Sequence, residues 1–150
     1  MIAINYPGHG EKIAKMAGAL LHPHDQTVAR VNDNGELLGG VIFTNYTGAS
    51  ICIHVGAFRP NWINRNMLYA TFAYPFLQLG VNKVIGQVGK HNEKAVKFNT
   101  SVGFTLETTV KDVFPEGDML IMTMYKEDCR HLRIVPRNWP ADVMTFDTVR

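Results

Sequence analysis

Among the six histidines of this sequence one imidazole stands out by its position. His54 lies in Ile51-Cys52-Ile53-His54-Val55-Gly56, an alternating run that reads as a strand with His54 on the face opposite Ile53 and Val55. An imidazole with an ordinary pKa near ~6.5 accepts a proton at neutral pH, directly or through a water. The plain alternative is a hydrogen-bonded core or surface histidine. His22 and His24 flank Pro23, a spacing that suggests a metal, but no third ligand lies nearby and the segment reads as a polar loop. Cys52 and Cys129 have no second Cys or His at zinc-ligand spacing, so reduced thiols and no metal site are expected. Gly8-His9-Gly10 and Gly39-Gly40 are too sparse for phosphate loops and read as a helix entry and a strand irregularity.

These groups must be held by the elements around them. Ile13, Met16, Ala17, Leu20 and Leu21 recur at helical spacing from Gly10 to Leu21, and Pro23 stops that helix. The period then changes to two. Thr27 to Val31 and Glu36 to Asn45 form a hairpin about Asp33-Asn34-Gly35, and a third strand follows from Ile51 to about Gly56. Met67, Leu68, Phe72, Phe76 and Leu79 predict a helix over Asn64 to Leu79, with Asn61 or Asn64 as N-cap, Gly80 as stop and a kink at Pro75. Val81 to Val88 is the next strand, His91 to Val102 a short helix, and Phe104 to Phe114 and Met119 to Tyr125 two strands joined at Pro115-Glu116-Gly117-Asp118. Strand, helix, strand across 51–88 implies a parallel pair inside an otherwise antiparallel sheet. The aromatics Tyr69, Phe72, Tyr74 and Phe76 share one helix, where core packing accounts for about half of them.

Composition narrows the function. The 150 residues carry fifteen Lys and Arg against thirteen Asp and Glu, a net +2 that offers no dense positive field for nucleic acid. No apolar run reaches the ~18 residues of a membrane span, and the first residues lack a charged segment leading into an apolar one. A soluble, cytoplasmic protein is expected, with neither nucleic acid nor membrane as partner. There is no internal repeat or dividing linker, so residues 1–131 read as one domain with an extension over 132–150. In that extension Trp139, Val143, Met144 and Phe146 are too apolar for a disordered tail and predict packing on the domain or on a second copy, as in a homodimer.

The stretch His91-Asn92-Glu93-Lys94-Ala95-Val96-Lys97-Phe98-Asn99-Thr100-Ser101-Val102-Gly103-Phe104 carries a more specific signal. With Asn92, Ala95, Phe98 and Gly103-Phe104 in register, it resembles the GNAT superfamily of N-acetyltransferases, and the order of elements agrees along residues 10–128. The resemblance implies an α/β (α+β) fold, a mixed and mainly antiparallel twisted sheet of about six to seven strands flanked by helices. It also implies an acetyl-coenzyme A dependent transfer of an acetyl group to a primary amine, on a small molecule or a protein N-terminus, with no metal. A bacterial or phage origin fits it.

The family's second signature is Arg or Gln, two residues, Gly, one residue, then Gly or Ala. Here the stretch is Arg59-Pro60-Asn61-Trp62-Ile63-Asn64, so the Arg is kept while Trp62 and Asn64 replace the small residues. By this likeness the coenzyme's pyrophosphate meets the amide of Ile63, the guanidinium groups of Arg59 and Arg65, and a polar Asn61 or Asn64. The pantetheine arm and acetyl carbonyl meet the backbone near Val55 to Ala57, and Asn92 and Phe98 hold the cofactor from the next helix. His54 becomes the candidate base for the amine proton. The Tyr that protonates the departing thiolate in many members is matched by Asn99, a hydrogen-bond donor that is no acid, which leaves Ser101 as the nearest hydroxyl. The departures at Trp62, Asn64 and Asn99 support a second reading, a non-catalytic binding or assembly module on the same fold.

Overall fold

A computed structural model describes residues 1–137, and in it the chain alternates between strands and three helices. The elements are β1 (Ile2–Ile4), α1 (His9–Ala17), β2 (Gln26–Val31), β3 (Leu37–Thr44), β4 (Ser50–Ala57), α2 (Arg65–Ala73), β5 (Lys83–Gly89), α3 (Glu93–Val102), β6 (Thr105–Phe114) and β7 (Gly117–Tyr125). They build one seven-stranded sheet in the order β1-β2-β3-β4-β5-β7-β6, antiparallel throughout except for β4 and β5. The α/β architecture, the mixed sheet and the flanking helices follow the expectation; the additional strand is the three-residue β1, too short to show a period.

Two apolar layers hold the helices on opposite faces. Ile13 and Ala14 of α1 pack on Ala29 and Ile42, with Leu21 and Phe58 at the margin. On the other face Met67, Ala70 and Phe72 of α2 and Val102 of α3 pack with Val41, Phe43, Ile51, Ile53, Val84 and Met122. Strand alternation makes this sorting automatic: Ile51 and Ile53 point to one face, and Cys52 and His54 to the other. Gly39 and Gly40 serve close approach, since a Cβ at Gly39 would stand 2.7 Å from the Trp62 ring and one at Gly40 would stand 2.5 Å from Ile13 Cδ1. The irregularity expected there is a register shift opposite Arg30 and Val31, which leaves Leu38 as the extra residue.

Several ends differ from the periodicity for identifiable reasons. Helix α1 stops at Ala17 rather than Leu21 because Gly18 turns left-handed at φ 68°, and Leu21 reaches the core from the loop beyond. Helix α2 is capped by Asn64, whose Oδ1 accepts the Met67 N–H at 2.8 Å. Pro75 has no N–H to give, and the helix meets it by widening into a π turn over Tyr74–Gln78, with Leu79 N–H donating to Tyr74 O at 3.0 Å. Helix α3 opens at Asn92, which accepts the Ala95 N–H at 3.2 Å, and closes at Gly103 with φ 121°. Beyond β7, Arg130 and His131 donate to Ser101 O and Val102 O at 2.7 Å and so bind carbonyls at the end of α3. Leu132 packs on the larger core, while Ile134 and Val135 are exposed. Trp139, Val143, Met144 and Phe146 lie outside the described residues.

Candidate active site

Pairing between β4 and β5 is brief. Ser50, Ile51, Cys52 and Ile53 face Lys83, Val84, Ile85 and Gly86, and beyond Ile53–Gly86 the strands separate. Strand β4 continues along β3 as far as Ala57, and β5 continues along β7 as far as Gly89. On the β3 side Phe58 N–H donates to Leu38 O at 2.9 Å. The alternation of an antiparallel ladder then sends the backbone groups of His54 and Gly56 toward β3 and those of Val55 and Ala57 toward the gap. Among the described residues these outward donors and acceptors of β4 have no strand beside them, and such a row in mid-sheet seeks a partner.

A cavity of about 880 Å³ occupies this gap and is lined from both faces of the sheet. On the α1 face its wall is Met16 to Leu20, His22, Thr44, Asn45 and His54; on the other face it is Trp62, Ile63, Phe72, Asn92, Ala95, Phe98 and Asn99. The opening therefore passes through the sheet, with Val55 and Ala57 on one rim and Gly86 to Gly89 on the other. Of the residues singled out in the sequence, His54, Val55, Ala57, Trp62, Ile63, Asn92, Phe98 and Asn99 meet here.

His54 is half-buried and shares a hydrogen bond with Thr44 Oγ1 through Nε2 at 3.0 Å. Burial lowers its pKa below the ordinary imidazole value, opposed in part by the charge of Asp25, so the ring is neutral at pH 7. Asn99 lies over Gly86, where the strands part, and its Nδ2 points to Met122 Sδ at 3.9 Å. Trp62 is 5% exposed, covers Gly39 and packs against Phe98 with ring centroids 5.6 Å apart, so it tightens the loop ahead of α2 and forms an apolar wall.

Five expected residues are placed elsewhere. Arg59 is paired with Glu36 at 2.9 Å, and Arg65 is exposed at the start of α2. Asn61 accepts a hydrogen bond from Arg30 through its main-chain oxygen, and Asn64 is spent on the helix cap. Ser101, expected as the nearest hydroxyl, sits two residues beyond Asn99 on an exposed face of α3, donates to Phe98 O at 2.7 Å, and is not among the residues that line the cavity. A helix turns through about 200° in two residues, which removes Ser101 from the wall that Asn99 lines.

His22, weighed in the sequence only as a metal ligand, also lines the cavity. Asp25 Oδ2 accepts both its backbone N–H at 2.8 Å and its Nδ1–H at 3.2 Å, so a segment read as plain polar loop presents an oriented imidazole to the cavity. The signal available was the three-residue spacing of His22 and Asp25 about Pro23. Among the described residues no group of three His, Cys, Asp or Glu side chains is placed to hold a metal, and no helix is long and apolar enough to cross a membrane.

No family model matches the sequence, and no curated protein sequence does. Solved structures do. The spermidine/spermine N-acetyltransferase SpeG of Vibrio cholerae with manganese ions superposes with a TM-score of 0.67, at 15% identity over 83% of this chain and 91% of that one. The spermidine N-acetyltransferase of the same organism in complex with CoA and spermine gives 0.61, at 19% identity over 71% and 68%. The Campylobacter jejuni N-acetyltransferase PseH in complex with acetyl coenzyme A gives 0.54, at 22% identity over 70% of each chain. With its parted β4 and β5 and its helices on both faces, this chain has the fold of the GNAT N-acetyltransferases.

Proposed function

We propose that the protein is an N-acetyltransferase that moves an acetyl group from acetyl-coenzyme A to a primary amine. The observation that carries this reading is the through-sheet cavity at the β4/β5 gap, which gives a thioester arm one face and an amine the other. The residues present fit that arm: the outward backbone groups of Val55 and Ala57 complete their hydrogen bonds along it, and Phe98 and Trp62 give it an apolar wall. At the start of α2 the amides of Ile63, Asn64 and Arg65 favour an anion, and Arg65 adds an exposed guanidinium beside them. Arg59 and Asn61 contribute from the same loop, Arg59 after release from its exposed pairing with Glu36. Asn92 holds the first turn of α3, where Ala95 leaves room along the wall.

Acetyl-coenzyme A, when bound, supplies an activated acetyl thioester. The amine nitrogen attacks its carbonyl carbon, a carbon–nitrogen bond forms, and the carbon–sulfur bond breaks with the electron pair leaving on sulfur. An outward N–H of β4 donates to the carbonyl oxygen as negative charge develops there. His54, neutral through burial, takes the amine proton. The Asn99 amide donates to the departing sulfur, which needs little further help because a thiolate is a good leaving group.

Calorimetric titration with acetyl-coenzyme A, followed by a thiol-release assay with added amines, tests the reading. Micromolar binding with amine-dependent thiol release supports it. No binding at millimolar ligand refutes it in favour of a binding or assembly module, the role to which the Trp62–Phe98 contact and the Arg59–Glu36 pair are suited.

A further inference from the structure

The two faces of the cavity differ in chemistry, and the α1 face is where an acceptor would enter. Its wall is made by the end of α1 and the loop that follows. Met16 and Leu20 are 52% and 79% exposed, and with Ala19 they present an apolar surface to the opening. The polar groups behind them are Thr44, Asn45, His54, which is neutral through burial, and His22, whose ring is held by Asp25. Among the described residues that line the cavity there is no Asp or Glu, while Lys94 on the opposite face adds a positive charge. Asp25 is the carboxylate that stands behind this wall. Its side chain is only 9% exposed, its Oδ2 accepts from the His22 backbone N–H and ring, and it is not among the residues that line the cavity.

An ammonium group that enters this space and does not react gives up hydration and meets no carboxylate among the described lining residues, with Asp25 acting on it only from behind the wall, as it does on His54. The reacting amine escapes that cost by losing its proton and becoming an amide. An apolar body loses nothing and gains contact with Met16, Ala19 and Leu20. Size matters too, since about 880 Å³ has to take both the thioester end and the acceptor.

Resting on the transferase reading above, we infer that the acceptor is a small primary monoamine with an apolar alkyl or arylalkyl body and no second cationic centre, in contrast to a polyamine.

Steady-state thiol release is measured with 2-phenylethylamine and with spermidine at fixed acetyl-coenzyme A, on a sample whose acetyl-coenzyme A binding is checked by calorimetry. The expected kcat/KM is about 100-fold higher for 2-phenylethylamine. Leu20→Glu, at an exposed loop position, places a carboxylate on the wall and narrows that preference about tenfold or more. Met16→Glu serves as a second, independent variant, and circular dichroism confirms that each is folded. Spermidine used as well as or better than 2-phenylethylamine by the unmodified protein overturns the inference and leaves the transferase reading standing. An unchanged preference in both folded variants overturns the role of this wall. Acetyl-coenzyme A bound with neither amine consumed overturns the inferred class, and absent binding overturns the transferase reading itself.

Discussion

Two glycines on the strands that border the gap face opposite layers of the molecule, and replacing each by alanine should separate them sharply. A methyl at Gly56 would stand 2.9 Å from the carbonyl oxygen of Ile13, 3.2 Å from Ile13 Cγ2 and 3.2 Å from Met16 Cβ. The first of these is backbone of α1, so the helix must back away by about half an ångström to reach ordinary contact, an overpacking cost of about 1–3 kcal/mol. In a domain of this size that lowers the melting temperature by roughly 3–10 °C. A methyl at Gly86 meets Asn99 Nδ2 at 3.6 Å and Met122 O at 3.8 Å, both ordinary contacts, so Gly86→Ala costs nothing in packing and restricts the unfolded chain. Thermal and urea unfolding followed by circular dichroism read the difference. Because Met16 lines the face proposed for the amine, Gly56→Ala should also alter amine kinetics while leaving acetyl-coenzyme A affinity unchanged. Equal melting temperatures for the two variants, or a larger loss at Gly86, would refute the argument that α1 sits in backbone contact with β4.

Three further outcomes are expected. His54→Ala should lower kcat/KM by about 10²–10⁴ in the thiol-release assay with acetyl-coenzyme A affinity retained, and an equal loss of affinity would move His54 from the proton to the cofactor. Burial lowers the pKa of His9, His54 and His131, so the unfolded chain takes up these protons first as pH falls below ~6.5. Stability should therefore fall from about pH 7.5 to 5.5 in urea titrations, and a midpoint that holds or rises would contradict it. Asn64→Ala and Asn92→Ala each remove a helix cap and should cost about 1 kcal/mol, nearly additive in the double variant because the caps serve different helices.

Much of this architecture could be read from local signals, and the misses have a common cause. Asn92 and Gly103 bound α3 as their residue types require, Asn64 caps α2, and Pro75 disturbs the helix it interrupts. These features act within a few residues of themselves. The parallel β4/β5 pair was legible because the helix between the strands carries its own period. What escaped depends on groups far apart in sequence. Arg59 turns away to Glu36 across a separation that no local pattern records, and Trp62 finds its place through Gly39 and Phe98. Leu20 and Leu21 mimic a further helical turn, while Gly18 ends the helix before them. The candidate site was legible where strand alternation fixed a side, as at His54 and Val55, and illegible where a ring orientation depends on its neighbour, as at His22.

A seven-stranded sheet joined at its centre by only four residue pairs is mechanically two plates with a seam. Strands β2, β3 and β4 form one plate from neighbours in sequence, and β6 and β7 begin the other in the same way. The seam joins residues 50–53 to residues 83–86 across the whole of α2, so its closure costs more chain entropy than either set of hairpins. Beyond the line from Ser50 to Ile53 the two plates are held together by the shared core under α2 and α3 and no longer by backbone hydrogen bonds between β4 and β5. The open half of that seam is therefore where the sheet offers backbone groups of both rims to a third strand-like partner, a place no hairpin of this chain fills among the described residues.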